Sequence, residues 1–278
     1  MFRLIDIELH KLRNSRASKV LIITYFVLLT SIALIAAIKF DIGPVQFHLA
    51  EQGIFNFPYI WHFNTFIAAF FKFFLLLVIV SMMANEYSNK TLKQNLIDGL
   101  SKKEFVLSKF YTVTLFALVS TVFVFVVSLI LGLIYSDYNE FSIIFSDLQF
   151  LLAFFVKLLG FFSFGLFLGV LIKRSAFAVG AMLIWFFAEL IGYNIMKWKV
   201  LKDEEIAEAL FQFAPLNSMW NLIDEPFSRL NAVKTIASQI GEDISSDYSV
   251  HFSEIAIVLG WTALFVYGSY YLLKIRDL

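Results

Sequence analysis

The chain has 278 residues, of which 60% are hydrophobic, 18% aromatic and only 16% charged, with 34 phenylalanines and a mean hydropathy of +0.79. Soluble domains carry about half apolar and about a quarter charged residues, so a water-soluble enzyme is excluded and a membrane protein is expected. Cysteine is absent, which removes disulfides, thiolate metal sites and thiol nucleophiles; the formal net charge of zero becomes informative only when charges are assigned to the two sides of a membrane.

In residues 1–19, Phe2, Ile5, Leu9 and Leu12 fall on one helical stripe, with Arg3, Asp6, His10 and Arg13 away from it. This predicts an amphipathic entry helix in the plane of the membrane surface, with its bases near anionic lipid. No cleavage site precedes Lys39, so the first span is expected to stay as an anchor. A hydrocarbon core of about 30 Å needs roughly 20 apolar helical residues, and six stretches reach that length, at about 20–38, 60–84, 110–135, 148–172, 175–196 and 253–273. The expected fold is therefore all-α: a polytopic membrane protein with six transmembrane helices in the unit 20–278, an N-terminal amphipathic interfacial helix at 1–19, and a helical outer loop before the last span.

The connector 85–109 is the most informative loop. Thr91 to Ile97 reads as a short helix with Leu92 and Leu96 at i, i+4, ended near Gly99. Ser101-Lys102-Lys103-Glu104 has capping-box spacing and starts a helix that continues into the third span. Two exposed apolar side chains in a basic surround would suit docking into a groove of a cytoplasmic partner; a solvated basic connector is the alternative.

In the fourth and fifth spans, Gly165-x-x-x-Gly169 and Ala176-x-x-x-Gly180 are spacings that let helix backbones approach closely. The short turn at Lys173-Arg174 makes those spans antiparallel neighbours. The loop 197–252 is too long for a plain connector. Asp203 to Phe213 and the stripe Leu230, Val233, Ala237 and Ile240 predict two short helices that lie on or dip into the outer leaflet, or form a small cap.

Fourteen basic and six acidic residues lie on the side of the termini and of the 85–109 connector, against six basic and fifteen acidic residues on the other side. The positive-inside rule then makes both termini cytoplasmic in a multi-pass protein of the cell (inner) membrane. Tyr59 and Trp61, Tyr135 and Tyr138, and Tyr193 and Trp198 are expected at the outer interface.

Lys72, Lys157 and Glu189 lie inside spans, each 13 to 15 residues from the basic-side end. At about 1.5 Å per residue they share one layer roughly 20 Å deep. Either they face a common polar interior that touches cargo, with Glu189 paired to one lysine, or both lysines snorkel to the outer headgroups and Glu189 has a structural role.

No G-x-x-x-x-G-K-[ST] loop is present, so the chain itself is not expected to bind ATP in that way. Its four histidines are scattered and no H-E-x-x-H occurs, which argues against a zinc hydrolase. Glu204-Glu205 resembles the start of a membrane-protease motif but falls in a loop. No catalytic residue, metal ligand or nucleic-acid partner is expected.

Taken together, the chain resembles the permease subunit of type-2 ATP-binding-cassette (ABC) exporters over nearly its whole length. The most specific local likeness is Asn85-Glu86-Tyr87-Ser88-Asn89-Lys90-Thr91-Leu92, followed by Ser101-Lys102-Lys103-Glu104-Phe105 and Lys109. It is similar to the family pattern of a Glu ending span two, a Gly-Thr pair, then a Ser-Arg pair and a Lys leading into span three; Lys90 stands for the Gly and Lys102 for the Arg. The resemblance implies a subunit without chemistry of its own. Two copies, or one with a paralogue, would form a pathway in the lipid bilayer, and separate ATPase subunits would hold ATP and Mg. Glu86, Tyr87, Thr91, Leu92, Lys93, Leu96, Ser101 and Glu104 would then belong to the ATPase-coupling segment. A non-transporting membrane scaffold or immunity protein, and a secondary transporter, are the competing readings.

Overall fold

A computed structural model describes residues 2–35, 39–42, 45–48, 53–230, 233 and 247–276. In chain order the elements are α1 (Phe2–Asn14), α2 (Arg16–Ile35), β1 (Lys39–Ile42), β2 (Val45–His48), α3 (Tyr59–Phe70), α4 (Lys72–Ser88), α5 (Thr91–Ile97), α6 (Lys102–Tyr135) and α7 (Phe141–Ile144). Then follow α8 (Gln149–Ile172), α9 (Ser175–Ile195) with a π turn at Met196–Val200, α10 (Glu204–Phe211), α11 (Pro215–Asn221), a 3₁₀ turn at Phe227–Arg229 and α12 (Phe252–Ile275). The fold is that of a helical, polytopic membrane protein. Its one small addition among the described residues is the antiparallel ribbon β1–β2, in register Lys39 with His48 and Ile42 with Val45.

Four stretches are long and apolar enough to cross a membrane: Lys102–Tyr135, Phe141–Ile172, Ser175–Val200 and Phe252–Ile275. The count rises to six when two bent helix pairs are each taken as one span. The first pair bends by 94° between α1 and α2, so α1 runs across α2 rather than along it, as an in-plane entry helix requires. The second, α3–α4, bends by 45°, whereas the sequence predicts one uninterrupted span over 60–84. At the break the Phe71 amide donates to the Ala68 carbonyl (3.1 Å) and the Phe74 amide to the Phe71 carbonyl (3.1 Å). These i to i−3 bonds tighten the helix locally without any Pro or Gly to announce it.

α8 is the axis of the bundle, packed on α3, α4, α6, α9 and α12. Of its most apolar window 83% is buried, against 11% for the corresponding window of α9. Close approach explains part of this centrality. A Cβ added at Gly165 would lie 2.3 Å from Leu76 Cδ1, and one at Gly169 3.0 Å from Met83 Cβ, so both glycines seat α4 against α8. Gly180, the other predicted contact, has no heavy atom within 4 Å of such a Cβ; it faces away from the chain's own bundle.

The two ends differ in character. At the basic end Arg276 donates to the Val170 (2.6 Å) and Leu171 (3.0 Å) carbonyls, satisfying the C-terminal groups of α8. At the acidic end Trp61 is fully buried and donates to the Ile144 carbonyl (2.8 Å), and the Tyr59 hydroxyl donates to the Pro226 carbonyl (2.7 Å). These two aromatics therefore pin loops to the bundle instead of facing headgroups, while Tyr135, Tyr138 and Trp198 are exposed as a belt would be.

Since Leu76 is only 1% exposed, it has no room to swing aside. Gly165→Val is expected to destabilise the protein by about 1–3 kcal/mol through overpacking, while Gly180→Val leaves stability nearly unchanged. Thermal unfolding of the two variants in detergent checks the contrast.

Candidate functional site

The connector between α4 and α6 is built around one carboxylate. Glu86, 3% exposed, accepts from Lys109 Nζ (2.5 Å) and Lys11 Nζ (2.7 Å) on Oε1, and from Thr91 Oγ1 (2.5 Å) and Asn95 Nδ2 (3.3 Å) on Oε2. Lys109, with no exposed surface, also donates to Glu8 Oε2 (2.6 Å), and Lys11 lies 3.5 Å from Glu8 Oε1. Two acids and two bases from α1, α4 and α6 thus form one buried ion knot, and Thr91 and Asn95 fasten α5 to it. Burial works to lower the Lys11 pKa, but its bond to Glu86 and the charge of Glu8 outweigh that and hold it above the ordinary lysine value.

Glu8 and Lys11 are the knot residues that charge counting alone did not single out. The buried face of α1 carries Glu8 and Leu12, with Leu4 and Ile5 half-buried, whereas Leu9 is 40% exposed. The signal was an acid three residues after Ile5 and four before Leu12, that is, on the apolar stripe itself.

The local expectations for the connector match the geometry closely. α5 spans Thr91–Ile97, and Gly99 follows it with φ +95°, a conformation that favours glycine past a helix end. The Ser101 hydroxyl accepts from the Glu104 amide (3.1 Å) while the Glu104 carboxylate accepts from the Ser101 amide (2.9 Å), so the capping box starts the 34-residue helix α6. Tyr87 is turned to the bundle, its hydroxyl 3.4 Å from the Val170 carbonyl.

One expectation is reversed. Leu92 is buried and Leu96 packs against the core, so the i, i+4 leucine pair holds α5 to the bundle instead of facing a partner. The outward face carries Lys93, Gln94 and Ile97, the last 68% exposed. Periodicity located the apolar stripe, but a seven-residue helix over a larger bundle turns that stripe inward.

The intramembrane charges converge. Lys72 at the start of α4, Lys157 on α8 and Glu189 on α9 line one cavity of about 590 Å³ that is open on one side, with α11 forming part of its wall. Glu189 is not paired with a lysine. It accepts from the Leu216 (3.1 Å) and Asn217 (2.8 Å) amides and from Trp185 Nε1 (2.5 Å), and so caps the N-terminus of α11, where a negative charge is favoured. Lys157 Nζ donates to the Trp220 carbonyl (3.1 Å). Lys72 Nζ lies over the Phe161 ring, 4.4 Å from its centroid. Both lysines are buried, at 7% and 2% exposure, so neither extends to a surface.

α11 was missed as an element, although Pro215 at its first turn is a helix-start signal. The predicted helix over Asp203 to Phe213 corresponds to α10, which Asp203 caps by accepting from the Ile206 amide (3.2 Å). The second predicted helix, on the stripe from Leu230 through Ala237 and Ile240, falls largely outside the described residues. Near the acidic end His62 stacks on Phe150 (4.2 Å between centroids), its Nε2 2.9 Å from the Asp224 carbonyl and its Nδ1 3.1 Å from Arg229 Nη1. A carbonyl only accepts and a guanidinium only donates, so the imidazole is neutral with its proton on Nε2.

Removing one partner of a buried ion cluster leaves the others uncompensated. Glu86→Gln is expected to destabilise the protein by about 3–5 kcal/mol, and Glu8→Gln combined with Glu86→Gln to show strong non-additivity. A double-mutant cycle on unfolding midpoints measures both effects.

A family model described as ABC-2 family transporter protein matches residues 5–278. No curated protein matches the chain. With the helical membrane bundle and the α4–α6 connector already described, this match over nearly the full length assigns the protein: it belongs to the ABC-2 family of transporter proteins and is a membrane permease of that class.

Proposed function

We propose that the chain is the pathway-forming subunit of an ATP-driven exporter in the cell (inner) membrane, with both termini cytoplasmic. A second copy or a paralogue completes the pathway, and separate ATPase subunits carry ATP and Mg. The charge asymmetry of the loops supports the orientation, and family membership supports the ATPase partner.

The observation that carries the coupling assignment is the mounting of α5. Its inner face is held by Leu92 and by the Glu86 knot, and its outer face offers Ile97 beside Lys93 and Gln94. A partner groove that moves this face moves α4 and α6 with it, because Thr91, Asn95, Lys109 and Lys11 all bond the same carboxylate. α6 then serves as a lever continuous from Lys102 to Tyr135. In this reading Glu86, Thr91, Leu92 and Leu96 fix the coupling element, Ser101 and Glu104 start the lever, Tyr87 ties it to α8, and Lys93 and Ile97 meet the ATPase. Lys72, Lys157 and Glu189 belong to the substrate pathway.

A secondary transporter is the reading that the break at Phe71 favours, since interrupted helices serve such proteins at their binding sites. Co-purification separates it from an ABC assembly and from a non-transporting scaffold: co-expressed with an ATPase encoded beside it, the permease brings that subunit down only in the exporter case.

Ile97→Asp is expected to leave folding intact and weaken ATPase association by about tenfold or more, as for an apolar hot spot. Wild-type association and wild-type ATPase stimulation in that variant would remove α5 as the contact. Because the chain lacks cysteine, Lys93→Cys gives a single label site, which an impermeant maleimide added to intact cells is expected to leave unmodified.

A further inference from the structure

The cavity walled in part by α11 has an uneven charge balance. Its one acid, Glu189, already has its oxygens engaged by two backbone amides and an indole. Among the described residues no carboxylate oxygen lies within 4.0 Å of Lys72 or Lys157 Nζ. Lys157 has one carbonyl partner and lies over the Trp220 ring, and among the described residues Lys72 has no hydrogen-bond partner, only an aromatic face. Two lysines thus stand in a space where Tyr193 and Asn217 are already engaged: Tyr193 donates to Glu208 and Asn217 to the Phe211 carbonyl.

The remaining wall is apolar, with Phe66, Phe70, Phe73, Phe161, Phe186 and Phe187 along it. Asp224 is close enough for its charge to act on Lys157 but does not pair with it; buried lysines without a paired carboxylate are costly, and an anion between them would meet both. A carbohydrate or a polar peptide would find few groups to replace its water, whereas an alkyl chain loses nothing against phenylalanine. The volume of about 590 Å³ falls within the roughly 300–1,000 Å³ of small-molecule sites.

Resting on the pathway reading above, we infer that this cavity seats an amphiphile with a compact anionic head, a phosphate or carboxylate held between Lys72 and Lys157, and an apolar tail along the phenylalanine wall. Glu189 is then a positioning residue: it fixes α11, whose Trp220 carbonyl orients Lys157.

Binding of radiolabelled dodecyl phosphate to the full-length permease in phosphatidylcholine nanodiscs tests this, with empty nanodiscs as background. Specific binding is expected, weakened about tenfold or more by Lys72→Met or Lys157→Met and retained by Lys72→Arg, in variants that melt like wild type. On the unaltered protein, unlabelled dodecyl phosphate is expected to compete, dodecylphosphocholine not to, and inorganic phosphate only at far higher concentration. Binding no greater than to empty nanodiscs, equal binding by Lys72→Met, or equal competition by dodecylphosphocholine would overturn the proposal. Equal competition by inorganic phosphate would overturn the amphiphile and leave a free-anion site. No ATPase is present, so failure here is distinct from failure of the coupling assignment.

Discussion

Lys109 has no exposed surface and bonds two carboxylates that come from different helices; the rest of the basic end depends on that arrangement. An ammonium so placed is stable only while both acids stay in position, and each acid is in turn held by Lys11. The entry helix, the end of α4 and the start of α6 are therefore bound by mutual need for charge compensation rather than by apolar area alone. Such a cluster adds little net stability over a well-packed apolar core, but it tolerates very few alternative packings. For the connector proposed to pass motion from a partner, that intolerance is the useful property: α5 cannot shift on Glu86 without leaving Thr91 and Asn95 unbonded.

The interior of the bundle solves its charge problem differently. Glu189 is satisfied by backbone amides at the start of α11, so a re-entering segment of the 197–252 loop is tied to α9 by a charge–dipole contact. The same segment supplies the Trp220 carbonyl to Lys157. One short helix thus supplies both a wall of the cavity and the carbonyl that orients its lysine. The bend at Phe71 immediately precedes Lys72, so the second cation sits beside the one place where the α3–α4 pair departs from regular geometry. Two lysines, an engaged acid and an aromatic wall thus share one space.

Much of this was legible in the residues. Span composition, the limits of α5, the capping box at Ser101 and the depth shared by Lys72, Lys157 and Glu189 followed from length, periodicity and spacing, because each is a local property of the chain. What was not legible is relational. Leu92 and Leu96 mark an apolar stripe, but only the neighbouring bundle decides that it points inward. Glu8 looks like one of several acids until Lys109, about a hundred residues later, is beside it. Depth alone leaves open whether Glu189 pairs with a lysine or has a structural role, and only the fold shows the Leu216 and Asn217 amides that it accepts from. The break at Phe71 has no marker of composition, since neither Pro nor Gly stands there.

The ion knot is expected to hold α1, α5 and α6 as one rigid body. Spin labels at Arg13→Cys on α1 and Lys93→Cys on α5, both exposed positions in an otherwise cysteine-free chain, report it through pulsed dipolar distance measurement. The account requires a single narrow distance distribution that broadens markedly when Glu86→Gln is added. A distribution equally broad with Glu86 intact, or unchanged by its loss, would contradict it.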